Sequence, residues 1–421
     1  MQRKRDASES SQNLYGDNIL MKGLGPIRSR KEVAKLLTHF PPRPVDVGTI
    51  SPELAVHELM RVRDLHLPGL SGLDLYETIQ LIVRQNYLHL DPIHPKTWSI
   101  VGGECRVKSD VVAEFACAVV GLSGTGKTQA VQRCLRLFPS QLIIHESFPR
   151  LIGPHTQVTW MSVTVPPGGR SIDVAGALRE EWNLVTGTQR FSPFVANDRR
   201  TGMRLLEEWR QVAASHFLGL LHLDEVQNLF RISALKKRNM RSGLENAYEL
   251  SIVEDQVLKW ILTLMNTWHI PLLVSGTPDG INALCRRLSN AQRFASSGYH
   301  EFVRFSLDDV PLFRSVFFDQ LAKYQYVAQP IKVDDDLAKL VLELTAGIHR
   351  LIIALWIGAQ RIALRRGSGD LRTSDFKRAA DTFLAPVREA VQALNSGDPR
   401  RMSMYEDLLP GNPSIWSGGG I

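Results

Sequence analysis

The stretch Gly121-Leu122-Ser123-Gly124-Thr125-Gly126-Lys127-Thr128 decides the fold. It is a complete phosphate-binding loop, in which the glycines let the backbone curl so that its N–H groups face phosphate oxygens. Lys127 reaches the β- and γ-phosphates, and the Thr128 hydroxyl is a ligand for Mg2+. The flanks agree with the motif. The apolar run Cys117-Ala118-Val119-Val120 leads in as a buried strand, and Gln129 to Leu137 leads out with helical spacing. The helix N-terminus then points at the phosphates and adds its dipole. Residues Gly121 to Gln129 are therefore the candidate nucleotide-binding set, with ATP as the expected ligand.

A second stretch, Phe217-Leu218-Gly219-Leu220-Leu221-His222-Leu223-Asp224-Glu225, is apolar and ends in two acids. An apolar run of this kind predicts a central parallel strand, covered on both faces. Its acids would emerge at the carboxyl edge of the sheet, where ligands bind in such folds. Asp224 is the candidate Mg2+ ligand alongside Thr128. Glu225 is the candidate base that polarises a water for in-line attack on the γ-phosphate. A protein kinase is excluded by the lack of a His-Arg-Asp loop and an Asp-Phe-Gly triplet downstream.

The chain has 421 residues, enough for two or three domains. With 44% hydrophobic and 22% charged residues it reads as globular, not disordered. No apolar run reaches the ~18 residues of a membrane span. The start, Met1-Gln2-Arg3-Lys4-Arg5-Asp6, lacks the apolar stretch of a signal peptide. Cys105, Cys117, Cys134 and Cys285 are scattered without paired spacing, which points to a reducing cytoplasm and away from structural zinc. The formal charge of +7 suits a polyanionic partner.

Along the chain, residues 1–14 are polar and read as a flexible tail. Residues 15–99 read as an N-terminal helical extension, with one short helix before the Pro41-Pro42-Arg43-Pro44 joint and two more around Pro68-Gly69. The second of these two is expected over Leu75 to Tyr87. Residues 100–305 form the expected nucleotide-binding core. Within it, Gln157 to Val165 alternates like one strand, and 255–270 is an amphipathic helix whose Trp260 and Trp268 are expected in the core. Ile270 to Thr277 is another central strand. Residues 306–395 read as a helical lid, and 396–421 as an extended tail whose Tyr405, Leu408, Leu409, Ile415 and Trp416 are candidate anchors for a partner.

A P-loop, an apolar strand ending in Asp-Glu, a strand ending in a polar residue and a helical C-terminal block together resemble the AAA+ ATPases. The implied fold class is α/β: a P-loop AAA+ core whose parallel sheet is flanked by helices, with a C-terminal helical lid and an N-terminal helical extension. Within that superfamily, residues 15 to 390 resemble the transposition regulators TnsC and TniB. The stretches concerned are Val274-Ser275-Gly276-Thr277-Pro278-Asp279, Asn290-Ala291-Gln292-Arg293-Phe294, Leu73 to Pro92, and Tyr15-Gly16-Asp17-Asn18. A departure is Leu88-His89-Leu90-Asp91-Pro92, which stands where Asn-Pro is common.

The resemblance implies further roles. Thr277, or Ser275, would be the sensor that hydrogen-bonds the γ-phosphate or the attacking water. Arg293 would be an arginine finger reaching a neighbouring subunit's nucleotide, with Arg286 and Arg287 as rivals. Arg350, in Gly347-Ile348-His349-Arg350, would contact ATP from the lid. Arg231, Lys236, Lys237, Arg238 and Arg241 have no acid among them from 226 to 243. They are candidate contacts to the backbone of duplex DNA, and Arg170 could add to them from the loop after Gly168-Gly169. In AAA+ rings the segment after the Asp-Glu strand commonly lies near the central pore.

The expected function is an ATP-dependent, Mg2+-dependent regulator of transposition that forms a homo-oligomeric ring or filament on double-stranded DNA. It would recruit a transposase of the TnsB/TnsA type and answer to a target selector of the TniQ/TnsD type. Its expected location is the cytoplasm, on the nucleoid, with no membrane partner. Two alternatives are another AAA+ DNA machine, of the origin-recognition or helicase-loading kind, and a P-loop signalling or chaperone ATPase without DNA.

Overall fold

The computed structural model describes residues 15–45, 47–102, 115–191, 201–232, 250–253, 255–285, 292, 294, 297–402 and 404–405. They form two compact units. One comprises residues 15–29, 74–120 and 128–301, and the other 30–73, 121–127 and 302 onward. The stretch 15–99, expected as a single extension, is thus shared between the two.

Among the described residues the first unit has nine short strands: β1 Ala116–Val120, β2 Leu142–His145, β3 His155–Val158, β4 Met161–Thr164, β5 Leu221–Asp224, β6 Phe230–Ile232, β7 Leu250–Ile252, β8 Leu272–Gly276 and β9 Tyr299–Glu301. Five of them form a sheet in the order β4-β5-β8-β1-β9, and every pairing in it is parallel. β1, β5 and β8 are buried along their whole length, as mainly apolar strands covered on both faces are, and β5 and β8 bury His222, Asp224 and Ser275 as well. Register places Val120 beside Gly276 and Thr164 beside Asp224, so the carboxyl ends of these four strands lie on one edge.

Helices cover this sheet. Ser171–Thr186 and Gly202–Ser215 meet through Trp182 and Trp209, whose rings stand edge to face at 6.5 Å. Trp260, on helix Asp255–Trp268, extends the cluster at 6.0 Å from Trp209. The Arg210 guanidinium lies 3.3 Å over the Trp268 ring. Trp260 is in the core as expected, whereas Trp268 is only half-buried under that guanidinium.

Residues 15–29 are strapped to the same unit. Asn18 caps helix Ile19–Lys22 and donates to the Tyr87 carbonyl at 2.6 Å, while buried Arg84 donates to the Gly25 carbonyl at 2.7 Å. Two stretches that resembled TnsC and TniB, 15–18 and 73–92, thus meet in space.

Several boundaries differ from the sequence reading. The strand expected over Gln157 to Val165 is two strands. Residues 155–158 pair antiparallel with β2, and 161–164 pair with β5 in the main sheet. Between them Thr159 N–H donates to the Gln141 carbonyl at 2.8 Å, and the Gln141 amide donates to the Trp160 carbonyl at 3.0 Å. Those bonds carry the chain from one sheet to the other. Residues 15–44 hold two helices, Ile19–Lys22 and Arg30–Leu37, where one was expected. The helix expected from Leu75 begins at Leu70 and runs to His89, taking Ser71 and Gly72 into its first turn.

The second unit is helical. Its main helices are Pro52–Leu59, Asp335–Thr345, His349–Arg366, Thr373–Thr382 and Arg388–Ser396. Phe313, Phe317, Phe318, Leu355, Trp356 and Phe376 fill its core. Buried Gln360 accepts from Tyr326 N–H at 2.7 Å and donates to the Tyr324 carbonyl at 2.9 Å, so its burial leaves neither end of the amide idle. Pro399–Met402 is a helical turn, and Tyr405 packs against the cluster of Ala346, Ile348, Val391 and Leu394. The chain after 396 is therefore not extended at once. Leu408, Leu409, Ile415 and Trp416 lie outside the described residues. Among those residues no single helix is long and apolar enough to cross a membrane.

Candidate nucleotide-binding site

The phosphate loop belongs to the second unit, and its shape depends on glycine at three points. Gly124 and Gly126 have φ of +85° and +97°, which side-chain-bearing residues rarely adopt. A Cβ on Gly121 would lie 2.5 Å from the Phe302 carbonyl oxygen. Lys127 is buried, and its ammonium donates to the Gly121 carbonyl at 2.7 Å and the Leu122 carbonyl at 3.0 Å. Phosphate oxygens are charged acceptors and would compete well against those neutral carbonyls. Within the same unit the N-terminus of helix His349–Arg366 docks on the loop: Arg350 N–H donates to the Gly124 carbonyl at 3.0 Å. A Cβ on Gly124 would lie 3.0 Å from Ile348 Cγ2 and 3.1 Å from Arg350 Cβ. Leu122 packs on the Ala346–Ile348 cluster. The Arg350 side chain is exposed beside the loop.

The first unit carries its own cluster of polar side chains around Asp224. Thr128, in the first turn of helix Lys127–Leu135, donates its hydroxyl proton to Asp224 Oδ2 at 2.7 Å. The other carboxylate oxygen accepts from Glu225 N–H at 3.0 Å and from the Ser275 hydroxyl. Behind Asp224 runs a directed relay. Gln132 Nε2 donates to Ser162 Oγ at 2.6 Å, and Ser162 Oγ lies 2.7 Å from His222 Nδ1, which accepts its proton when the neutral ring carries its own at Nε2. His222 Nε2, 2.8 Å from Ser275 Oγ, then carries the ring proton and donates it, because Ser275 spends its own on Asp224. Burial pushes the His222 pKa down to about 4 against the pull of Asp224, so the ring is neutral and a single tautomer suffices. Every donor in the line points toward the carboxylate, which keeps its negative charge oriented for a cation.

Glu225 leaves β5 in the left-handed region at φ 56° and ψ 43°, an unfavourable place for a glutamate and a mark of constraint. Its side chain is half-buried and accepts from Gln227. Thr277 is buried, and its hydroxyl has no hydrogen-bond partner among the described residues. Ser275 is committed to Asp224 and His222, which leaves Thr277 as the freer of the two expected sensors.

These residues fit a Mg2+–nucleotide. A hydroxyl and a carboxylate converge at the end of a strand, as a hard cation needs. The unpartnered Thr277 hydroxyl is a donor in want of an acceptor. Bound Mg2+ would be held by Thr128 and Asp224 and would neutralise charge on the phosphates. What the chain itself supplies is the loop's N–H groups, the Lys127 ammonium and a carboxylate at Glu225.

Among the other expected residues, Arg170 precedes helix Ser171–Thr186 and makes two bonds to Asp173, at 3.0 and 3.2 Å, so much of its charge is already met. Arg231 lies on β6, which pairs antiparallel with β7. Lys236, Lys237, Arg238 and Arg241, between those two strands, lie outside the described residues, as do Arg286, Arg287 and Arg293. Cys117, Cys134 and Cys285 are buried free thiols, and burial raises Cys134 to about 12 and Cys285 to about 11. The sequence reading missed Ser162, His222, Gln132 and Gln227. The one local signal was a histidine inside an otherwise apolar strand.

Residues 114–284 match the family model of the AAA domain. That stretch is less than half of the chain, and over it the parallel sheet and the phosphate loop give the P-loop fold of the AAA+ type. Three solved structures show a distant likeness to the chain. The Aeropyrum pernix ORC1 protein in complex with DNA is 15% identical, with 72% of this chain and 69% of that chain covered and a TM-score of 0.40. Cdc6p from Pyrobaculum aerophilum is 14% identical, with coverages of 68% and 64% and a TM-score of 0.40. The Drosophila ORC bound to DNA is 12% identical, with coverages of 93% and 76% and a TM-score of 0.40. No curated protein matches the chain.

Proposed function

We propose that this AAA+ ATPase binds ATP with Mg2+, assembles as a ring or filament on double-stranded DNA and regulates transposition. The observation that carries the ATPase part is the Thr128–Asp224 hydrogen bond at 2.7 Å, with Glu225 next in the chain. It supports metal binding by Thr128 and Asp224, and in this reading Glu225 is the base that activates water. Lys127 binds the phosphates, Thr277 senses the γ-phosphate, and Arg350 contacts the nucleotide from the first turn of its helix.

The DNA part rests on the sequence. Lys236, Lys237, Arg238 and Arg241 lie between β6 and β7, directly after the catalytic strand, and would track the duplex backbone together with Arg231. Transposition rests on the stretches that resemble TnsC and TniB. In that reading Arg293 completes a neighbour's site, a transposase of the TnsB/TnsA type and a selector of the TniQ/TnsD type are the partners, and the assembly works on the nucleoid in the cytoplasm. ATP favours assembly, and hydrolysis dismantles it.

The test is ATP turnover with and without duplex DNA, in the unsubstituted chain and in Glu225→Gln. DNA-stimulated turnover, with Glu225→Gln retaining ATP and staying on DNA, supports the proposal. Turnover indifferent to DNA would favour the signalling or chaperone ATPase. DNA stimulation without any effect on strand transfer by a transposase encoded beside this chain would favour the origin-recognition or helicase-loading kind.

A further inference from the structure

Gln227 joins the two groups to which the hydrolysis reading gives work. Its Nε2 donates to Glu225 Oε2, and its Oε1 accepts from Thr277 N–H at 3.2 Å. A backbone N–H can only donate, so the amide oxygen must face Thr277 and the NH2 must face the carboxylate. The orientation is thereby set by chemistry.

The slot around this side chain is made by two glycines. A Cβ on Gly280 would lie 2.5 Å from Gln227 Cβ and 2.7 Å from its Cα. A Cβ on Gly276 would lie 2.9 Å from Gln227 Oε1. Gly276 ends β8 and Gly280 lies in helix Pro278–Leu284, so the strand and the helix that present Thr277 also confine Gln227. At the other end, the left-handed backbone of Glu225 turns the chain so that residues 225 and 227 can meet. Strand end, short 3-10 turn and sensor threonine are thus linked through one amide.

We propose that Gln227 is a positioning residue: by bridging Glu225 and Thr277 it holds the base and the γ-phosphate sensor in one fixed relation. The inference rests on the reading of this site as one that hydrolyses ATP. Gln227 touches neither nucleotide nor water in this role, so its loss acts on the chemical step and leaves ATP affinity alone.

The experiment compares Gln227→Met, which keeps length and removes both bonds, with Gln227→Glu, which keeps an acceptor for Thr277 N–H and sets a second carboxylate against Glu225. Steady-state ATP turnover gives kcat and KM, a fluorescent ATP analogue gives affinity, and the thermal midpoint reports folding. The expected result for both variants is a fall in kcat of about 10–100-fold, with KM and affinity within about 3-fold, because a base misplaced by an ångström loses about that much. In single turnovers, adding Gln227→Met to Glu225→Gln should change the rate by less than about 3-fold, since the two substitutions strike one unit.

The proposal is overturned if kcat of either variant stays within about 3-fold of the unsubstituted chain while that chain hydrolyses ATP. It is equally overturned if the losses multiply in the double variant, or if ATP affinity falls in step with kcat. An unsubstituted chain that binds ATP without turnover would overturn the hydrolysis reading, and this inference with it.

Discussion

Ser275→Ala tests the relay behind Asp224. Ser275 is fully buried, and its hydroxyl links His222 to the carboxylate. Removing it takes a donor from a charged acceptor, a loss of about 1.5–3 kcal/mol, and leaves the His222 Nε2 proton buried without an acceptor, at about 1–3 kcal/mol. The two losses share one site and do not simply add, so about 3 kcal/mol is the expected destabilisation. For a unit of this size that is a drop of roughly 6–12 °C in the unfolding midpoint. The carboxylate also loses an orienting partner, and such losses weaken metal binding by about 10–100-fold. The assay is a Mg2+ titration of ATP turnover at saturating ATP, with thermal unfolding of the same protein. A midpoint within about 1 °C together with a half-saturating Mg2+ within about 2-fold would refute the reasoning.

Lys127→Ala should abolish ATP binding, measured with a fluorescent analogue; affinity near that of the unsubstituted chain would remove the phosphate loop from the mechanism. Gly124→Ala should cost about 1–2 kcal/mol from the left-handed backbone alone, before its Cβ meets Ile348 and Arg350, and the unfolding midpoint reads it. The His349 ring packs edge-on to Phe317 at 4.4 Å, and burial lowers its pKa from 6.5 to about 4. The unfolded state then binds the extra proton first, so stability is present above pH 6.5 and is lost as pH falls toward 4, by at most about 1.4 kcal/mol per unit. His349→Gln should flatten that slope by about one proton, and an unchanged slope contradicts the assignment. Replacing Lys236, Lys237 and Arg238 with Ala should lower the salt slope of DNA binding by about 1 for each phosphate no longer neutralised.

Much of the fold was legible because its signals are local. The eight-residue loop, the apolar strand before it and the run ending at Asp224 each lie within a few consecutive residues, and β1, β5 and β8 sit where those runs predicted. Thr128 and Asp224 meet as their motifs imply, although they are 96 residues apart. What escaped is non-local. Ser162 and Ser275 stand 60 and 53 residues from His222, and no sequence window contains all three. His222 alone looked like a polar exception in a buried strand. The alternation from Gln157 to Val165 is continuous, and only the bonds from Gln141 show where the strand changes sheets. Arg170 read as a free cation beside two glycines, whereas Asp173, one helical turn on, takes its guanidinium. That pairing follows from helix geometry, once the helix start at Ser171 is known.

The most direct test of the whole account is negative-stain imaging of the purified chain with duplex DNA, with and without a slowly hydrolysed ATP analogue. The account predicts rings or filaments only when both ligands are present. Discrete particles that ignore DNA, or assemblies that form without nucleotide, would contradict an ATP-dependent assembly on DNA.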